Sequence, residues 1–191
     1  LRATTDYWVN AADGQPFFVV HRPVDPGLLK VLEEEIIPRL EREVPNQPTA
    51  EQLAADPDLD KFTVVHDREG FSPEAMARLK ARRIALLTYH KYPGADWSVD
   101  EFGEQSVQLV HGEVVRMWLA ERGTLLANGL WVREVRERSE SGHQTAILST
   151  DWRANMSVLA PRMFARWSQE NFLKYMREHY ALDRLIEYGT E

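Results

Sequence analysis

The sequence predicts an α/β protein: a mixed sheet with flanking helices, carrying a block of antiparallel strands before its last helices. Two observations carry this. Residues 62 to 90 read as apolar run, helix, apolar run, the order of a βαβ unit. Residues 98 to 150 then change to short strand-like segments separated by Gly and charged turns.

Taken in order, DYWVNA and PFFVVHR within residues 6 to 23 read as two strands joined at Ala12-Asp13-Gly14, a hairpin turn signal. In GLLKVLEEEIIPRLEREVP, residues 27 to 45, Leu28, Leu29, Val31, Leu32, Ile36, Ile37 and Leu40 fall at helical spacing, and Pro38 should kink or split that helix. NQPTAEQLAADPDLD is polar and proline-bearing, a loop with room for one short helix. KFTVVHD is a strand ending in Asp67. Ser72 as N-cap and Pro73 at the first helical position then open a helix, and RIALLTYH is the next strand. SVQLVHG, EVVRMWLAERG, LWVREVRERS and HQTAILST form the antiparallel block, and residues 158 to 188 read as helices, with Pro161 near a helix start. The organisation predicted is a core of residues 1–97 and 151–191 with a β insertion at 98–150.

At 191 residues, 43% hydrophobic and 10% aromatic, the chain can bury a substantial core. No apolar run approaches the roughly 18 residues of a membrane span, so no membrane partner is expected. Cys is absent, which removes disulfides and thiolate metal sites and suits a reducing cytoplasm. A net charge of −7 argues against a general nucleic-acid-binding surface, though not against a local basic groove. RLKARR, residues 78 to 83, is the densest basic run, and reads first as a solvated helix end. The chain opens on Leu1 rather than Met, close to a strand-like run, and is therefore read as a fragment.

No GxGxxG or GKS/T loop, GxSxG elbow or HxxxH pair is present. Carboxylates remain. Asp67 closes a strand, where functional groups of βαβ units collect. Glu170 stands on a late helix in a stripe with Arg166, Lys174 and Arg177, since steps of four and seven return to one helix face. Acids gathered from separate elements can hold Mg²⁺ or Mn²⁺, which take hard oxygen ligands. The plainer alternatives are an Asp capping the next turn and a Glu paired with Arg166.

VVHDREGFSPEAMARLKARRIALLTYHK and MFARWSQENFLKYMREHYALDRLIEY together resemble the DDE transposases of bacterial insertion sequences, in the group marked by a Tyr-Arg-Glu-Lys signature. Here that signature reads Phe164, Arg166, Glu170, Arg177, with three residues between Arg166 and Glu170 and six between Glu170 and Arg177. Phe164 and Arg177 depart from the family while keeping a ring and a cation, and Phe164 lacks the tyrosine hydroxyl. The resemblance implies a ribonuclease H-like sheet, with Asp67 and Glu170 as second and third catalytic acids and ligands of Mg²⁺ or Mn²⁺. It implies that Arg166, Lys174 and Arg177 contact DNA, that Arg166 can instead orient Glu170, and that transposon-end DNA is the partner, bound by a homodimer in the bacterial cytoplasm.

The family's first Asp is expected upstream of Leu1. Of the early acids within the chain, Asp13 reads as a turn residue and Asp6 as a strand-edge residue. On this reading the parent protein cleaves and joins DNA strands, and the isolated chain is inactive. The other reading is an inactive or domesticated relative kept as a DNA- or protein-interaction module. Trp167, Phe172 and Tyr175 read as core, while Trp97, Trp118 and Trp131 in the β insertion are better placed to meet unpaired bases.

Overall fold

The computed structural model describes residues 4–110 and 112–164. β1 (Thr5–Asn10) and β2 (Pro16–Arg22) form the expected hairpin, with Asp6 opposite His21 and Trp8 opposite Val19. Its turn needs Gly14, which adopts φ 87°, and Asp13 caps it by accepting the Gln15 N–H at 3.0 Å. Side-chain alternation turns Tyr7, Val9, Phe18 and Val20 inward and leaves Trp8 and Val19 exposed.

The next helical run comprises α1 (Leu28–Val31), a π-helical turn over Leu32–Ile36, and α2 (Ile37–Glu43). The sequence predicts a kink or split at Pro38, and the run is divided just before it: the widened turn relieves the collision a proline ring makes with the carbonyl four residues back. Val31, Leu32, Ile36, Ile37 and Leu40 are buried from this run. α3 (Ala50–Ala55) follows from a capping box between Thr49 and Gln52.

β3 (Thr63–His66), α4 (Pro73–Ala81) and β4 (Ala85–Tyr89) make the predicted βαβ unit, with β3 and β4 parallel and His66 opposite Thr88. α4 starts where sequence chemistry put it: Ser72 Oγ accepts the Ala75 N–H at 3.2 Å and Pro73 follows. β5 (Gly103–Gln108), β6 (Val114–Leu125), β7 (Trp131–Arg138) and β8 (Gln144–Ser149) form an antiparallel meander. β8 pairs directly with β4, placing Leu148 opposite Thr88, so one six-stranded mixed sheet runs β3-β4-β8-β7-β6-β5. The strands of residues 98 to 150 thus continue the sheet that β3 and β4 begin.

The sheet is covered on both faces. Leu86 and Leu148 join Met76 and Leu79 of α4, the helical run and the hairpin in one core cluster. Leu87, Val135 and Ile147 point the other way, onto Leu159 and Met163 of α5 (Met156–Phe164). This is why β4 reads as a continuous apolar run, Ala85, Leu86 and Leu87 all being fully buried. α5 begins earlier than predicted, with Asn155 O accepting the Val158 and Leu159 N–H groups, so Pro161 lies inside it and is buried. Among the described residues no helix is long and apolar enough to cross a membrane.

The basic run 78 to 83 is committed internally. Arg78 pairs with Glu33 at 2.6 Å, Lys80 with Asp60 at 3.0 Å and Arg82 with Glu41 at 2.6 Å. Arg83, at φ 62°, donates to the Leu59 carbonyl at 2.9 Å. These cations tie α4 to the helical run and to the loop before β3.

Candidate functional site

Asp67 stands at the carboxyl end of β3, exposed, as the N-cap of a 3₁₀ turn over Arg68–Gly70. Its Oδ1 accepts the Arg68 N–H at 2.6 Å. Its carbonyl is held from below: His66 Nδ1, which must carry a proton to serve a carbonyl, donates at 2.8 Å, and Thr88 Oγ1 donates at 3.2 Å. His66 is 7% exposed and Thr88 fully buried, so both donors are anchored in the sheet. The backbone of Asp67 is therefore fixed while its carboxylate faces solvent.

Gly70 closes the turn onto the His66 ring. A Cβ built there would lie 2.5 Å from His66 Nδ1 and 2.6 Å from its Cε1. Gly70→Ala is expected to destabilise the fold by about 1–3 kcal/mol, the usual cost of forcing extra volume into a packed site. Urea unfolding of the variant beside the parent protein checks it; an unchanged midpoint would show that the His66 ring can move aside.

The neighbouring side chains extend this edge. The Arg68 guanidinium lies 5.7 Å from the Tyr89 ring centroid, Tyr89 being the last residue of β4. Tyr89 Oη donates to the Met163 carbonyl at 3.4 Å, and the Phe164 ring sits 6.4 Å from that of Tyr89. The C-terminal end of α5 thus reaches the sheet edge that carries Asp67. Arg166, Glu170, Lys174 and Arg177 lie outside the described residues, as do Trp167, Phe172 and Tyr175. Among the described residues no group of three His, Asp or Glu side chains could hold a metal ion.

A family model described as "Transposase protein" matches residues 1–191. The chain belongs to the transposase protein family. No curated protein matches it. A solved structure, the cryo-EM synaptic complex of piggyBac transposase with hairpin DNA, is similar at 11% identity and a TM-score of 0.39, over 85% of this chain and 31% of that one. The chain therefore spans less than a third of that protein's length.

The transposase-family chain holds a second constellation that sequence reasoning missed. Arg136 of β7 is 2% exposed and Glu134 is 3% exposed, joined by Arg136 Nε to Glu134 Oε1 at 2.7 Å. Glu134 Oε2 also accepts from Thr124 Oγ1 at 2.8 Å, and His90 Nδ1 lies 3.4 Å away. Arg136 donates to the Ala95 carbonyl at 2.9 Å and to that of Pro93, and its guanidinium lies 4.4 Å from the Trp97 ring centroid. Trp97 is therefore buried, 9% exposed, with Arg122 4.5 Å from the same ring, and is not offered to a ligand as the sequence reading expected. Trp118 and Trp131 are about half exposed, at 47% and 53%.

Burial would raise the Glu134 carboxyl, but the nearby His90 ring and the hydrogen bonds from Thr124 and Arg136 outweigh it and hold the group below its usual value of 4.5. A lowered acid stabilises the fold at pH values above 4.5 and loses that contribution as pH falls through the lowered value. Urea midpoints measured from pH 7 downward should stay level until about pH 4.5 and then drop, for this group's share. An Arg136→Met variant should show a smaller acid-dependent loss.

At the opposite end of β3, Asp58, Asp60, Asp151 and Arg153 line a shallow depression of about 300 Å³. Two of its acids have structural work. Asp60 pairs with Lys80, and Asp151 Oδ1 accepts the Arg153 and Ala154 N–H groups at 2.9 Å.

Proposed function

We propose that this chain is part of the catalytic core of a DNA transposase, acting through metal-dependent strand cleavage and transfer, with Asp67 as one of its acids. The observation that carries the reading is the carboxylate of Asp67, exposed at a strand's carboxyl end while its backbone is pinned by His66 and Thr88. Ligands and catalytic groups of sheets with βαβ units gather at that end. Family membership supports a role in transposition.

Asp67 is a hard oxygen donor with lone pairs to spare beyond its bond to the Arg68 N–H, and so suits Mg²⁺ or Mn²⁺. Such an ion, when bound, supplies charge stabilisation for phosphodiester cleavage. One carboxylate is too few for a site, and Glu170 is the proposed second acid. Phe164 beside Tyr89 favours this, because it places residue 164, six positions before Glu170, at the same edge as Asp67. In this reading Arg166, Lys174 and Arg177 hold DNA phosphates, bidentate geometry favouring the arginines.

The reading extends to a ribonuclease H-like core with a further strand and a first acid supplied from upstream of Leu1. Two features favour it: β3 has no partner on its outer edge among the described residues, and β1–β2 form a separate two-stranded sheet over the same core. Of the early acids, Asp6 bonds His21 at 2.5 Å and Asp13 caps its turn. Transposon-end DNA is then the partner, a homodimer in the DNA complex the working form, and the bacterial cytoplasm the compartment. The test is Mn²⁺-dependent nicking of the element's end by the intact protein: Asp67→Ala and Glu170→Ala should each abolish it. Nicking that persists in both variants removes these residues from the mechanism and leaves the alternative of an interaction module.

A further inference from the structure

The loop after β4, residues 90 to 97, is held in a manner that its sequence does not announce. It leaves the sheet at the same edge as Asp67, since His66 of β3 lies opposite Thr88 of β4. Its far half is latched from beneath. Arg136 donates to the Pro93 and Ala95 carbonyls. Gln144 accepts the Trp97 N–H at 2.9 Å and donates to the Trp97 carbonyl at 2.8 Å. Its near half is anchored by the His90 N–H on the Ala146 carbonyl at 2.9 Å and by the His90 ring, 5.9 Å from that of Phe71. A fully buried arginine is thus spent on carbonyls of a surface loop, and buried charge is retained only where its partners are satisfied.

What the loop displays is Lys91 and Tyr92. Tyr92 is 72% exposed, and its ring meets the edge of Phe71, at 6.5 Å and 83°. Phe71 directly follows the Asp67 turn. Lys91 Nζ lies 5.6 Å from the Tyr92 ring centroid. Lys91 has no acidic partner within ion-pairing distance among the described residues, whereas Arg78, Lys80 and Arg82 are engaged. An aromatic ring open to solvent, braced by a second ring and flanked by a cation, has the chemistry of a platform for one unpaired base and its phosphate. Duplex bases do not present their faces, so intact double helix gains nothing from the ring.

We infer that Tyr92, with Lys91, binds an unpaired nucleotide of the DNA strand next to the Asp67 edge, on the loop that Arg136 holds in place. This rests on the DNA reading above and names how that site grips its substrate.

The test is metal-free equilibrium binding of the intact protein to two DNAs of the element's end, one fully paired and one with a short single-stranded flank carrying 2-aminopurine. Tyr92→Ala is expected to weaken binding to the flanked DNA about tenfold and leave the paired DNA unchanged. Tyr92→Phe, which keeps the ring, should bind as the parent does and preserve the 2-aminopurine fluorescence change that Tyr92→Ala loses. Because Tyr92 is exposed, the variants should fold, and matching thermal unfolding confirms it. Equal binding by Tyr92→Ala and the parent on the flanked DNA overturns this inference while leaving the transposase reading standing. So does a Tyr92→Ala defect confined to association between protein chains. Failure of the parent protein to bind either DNA overturns both.

Discussion

Asp67→Asn in the intact protein is expected to lower Mn²⁺-dependent strand cleavage by about a thousandfold, the loss that follows from several kcal/mol of charge stabilisation at the reacting phosphate. The same substitution should leave folding stability unchanged within about 0.5 kcal/mol. Asn keeps the side-chain oxygen that accepts the Arg68 N–H, and the carbonyl held by His66 and Thr88 belongs to the backbone. Only the charge leaves. Steady-state nicking rates and urea unfolding on the same preparations separate the two effects. Cleavage within tenfold of the parent would make Asp67 a turn cap and nothing more. Lost cleavage together with lost stability would mean that the carboxylate serves the fold.

Arg136→Met should cost about 3–5 kcal/mol of stability, the penalty for removing one partner of a buried ion pair. The substitution leaves Glu134, 3% exposed, without its guanidinium and strips the Pro93 and Ala95 carbonyls of a donor. Denaturant unfolding measures it. The double variant Arg136→Met, Glu134→Leu should recover part of the loss, because an apolar pair of similar volume no longer buries an unmatched charge. No recovery would mean that the two carbonyls and the Trp97 contact dominate. A loss below about 1 kcal/mol would mean that water reaches Glu134 readily.

The parts of the fold that the sequence makes legible are those set by local chemistry. Asp13-Gly14 dictates a hairpin turn, Ser72-Pro73 a helix start, and KFTVVHD and RIALLTYH two strands around that helix. Asp67 follows from the same logic, being a strand-end residue whatever its partners. The parts that stay hidden depend on distant chain. LWVREVRERS reads simply as one strand of the antiparallel block, but β7 is an inner strand, and the loop at 90 to 97 roofs Arg136 over. RLKARR reads as a solvated helix end, yet its partners Glu33, Glu41 and Asp60 lie elsewhere in the sequence. The π-helical turn before Pro38 is a strain-relieving choice made by packing, since Ile36 and Ile37 must both reach the core.

The pairing of β4 with β8 has a mechanical consequence. A strand ladder is stiff along its hydrogen-bonded direction, so a load applied at β5 passes through β6, β7 and β8 into β4 and the edge beside Asp67. Whatever grips the outer strands of this protein is therefore coupled by direct backbone linkage to that edge, with no hinge of loose chain to absorb the displacement.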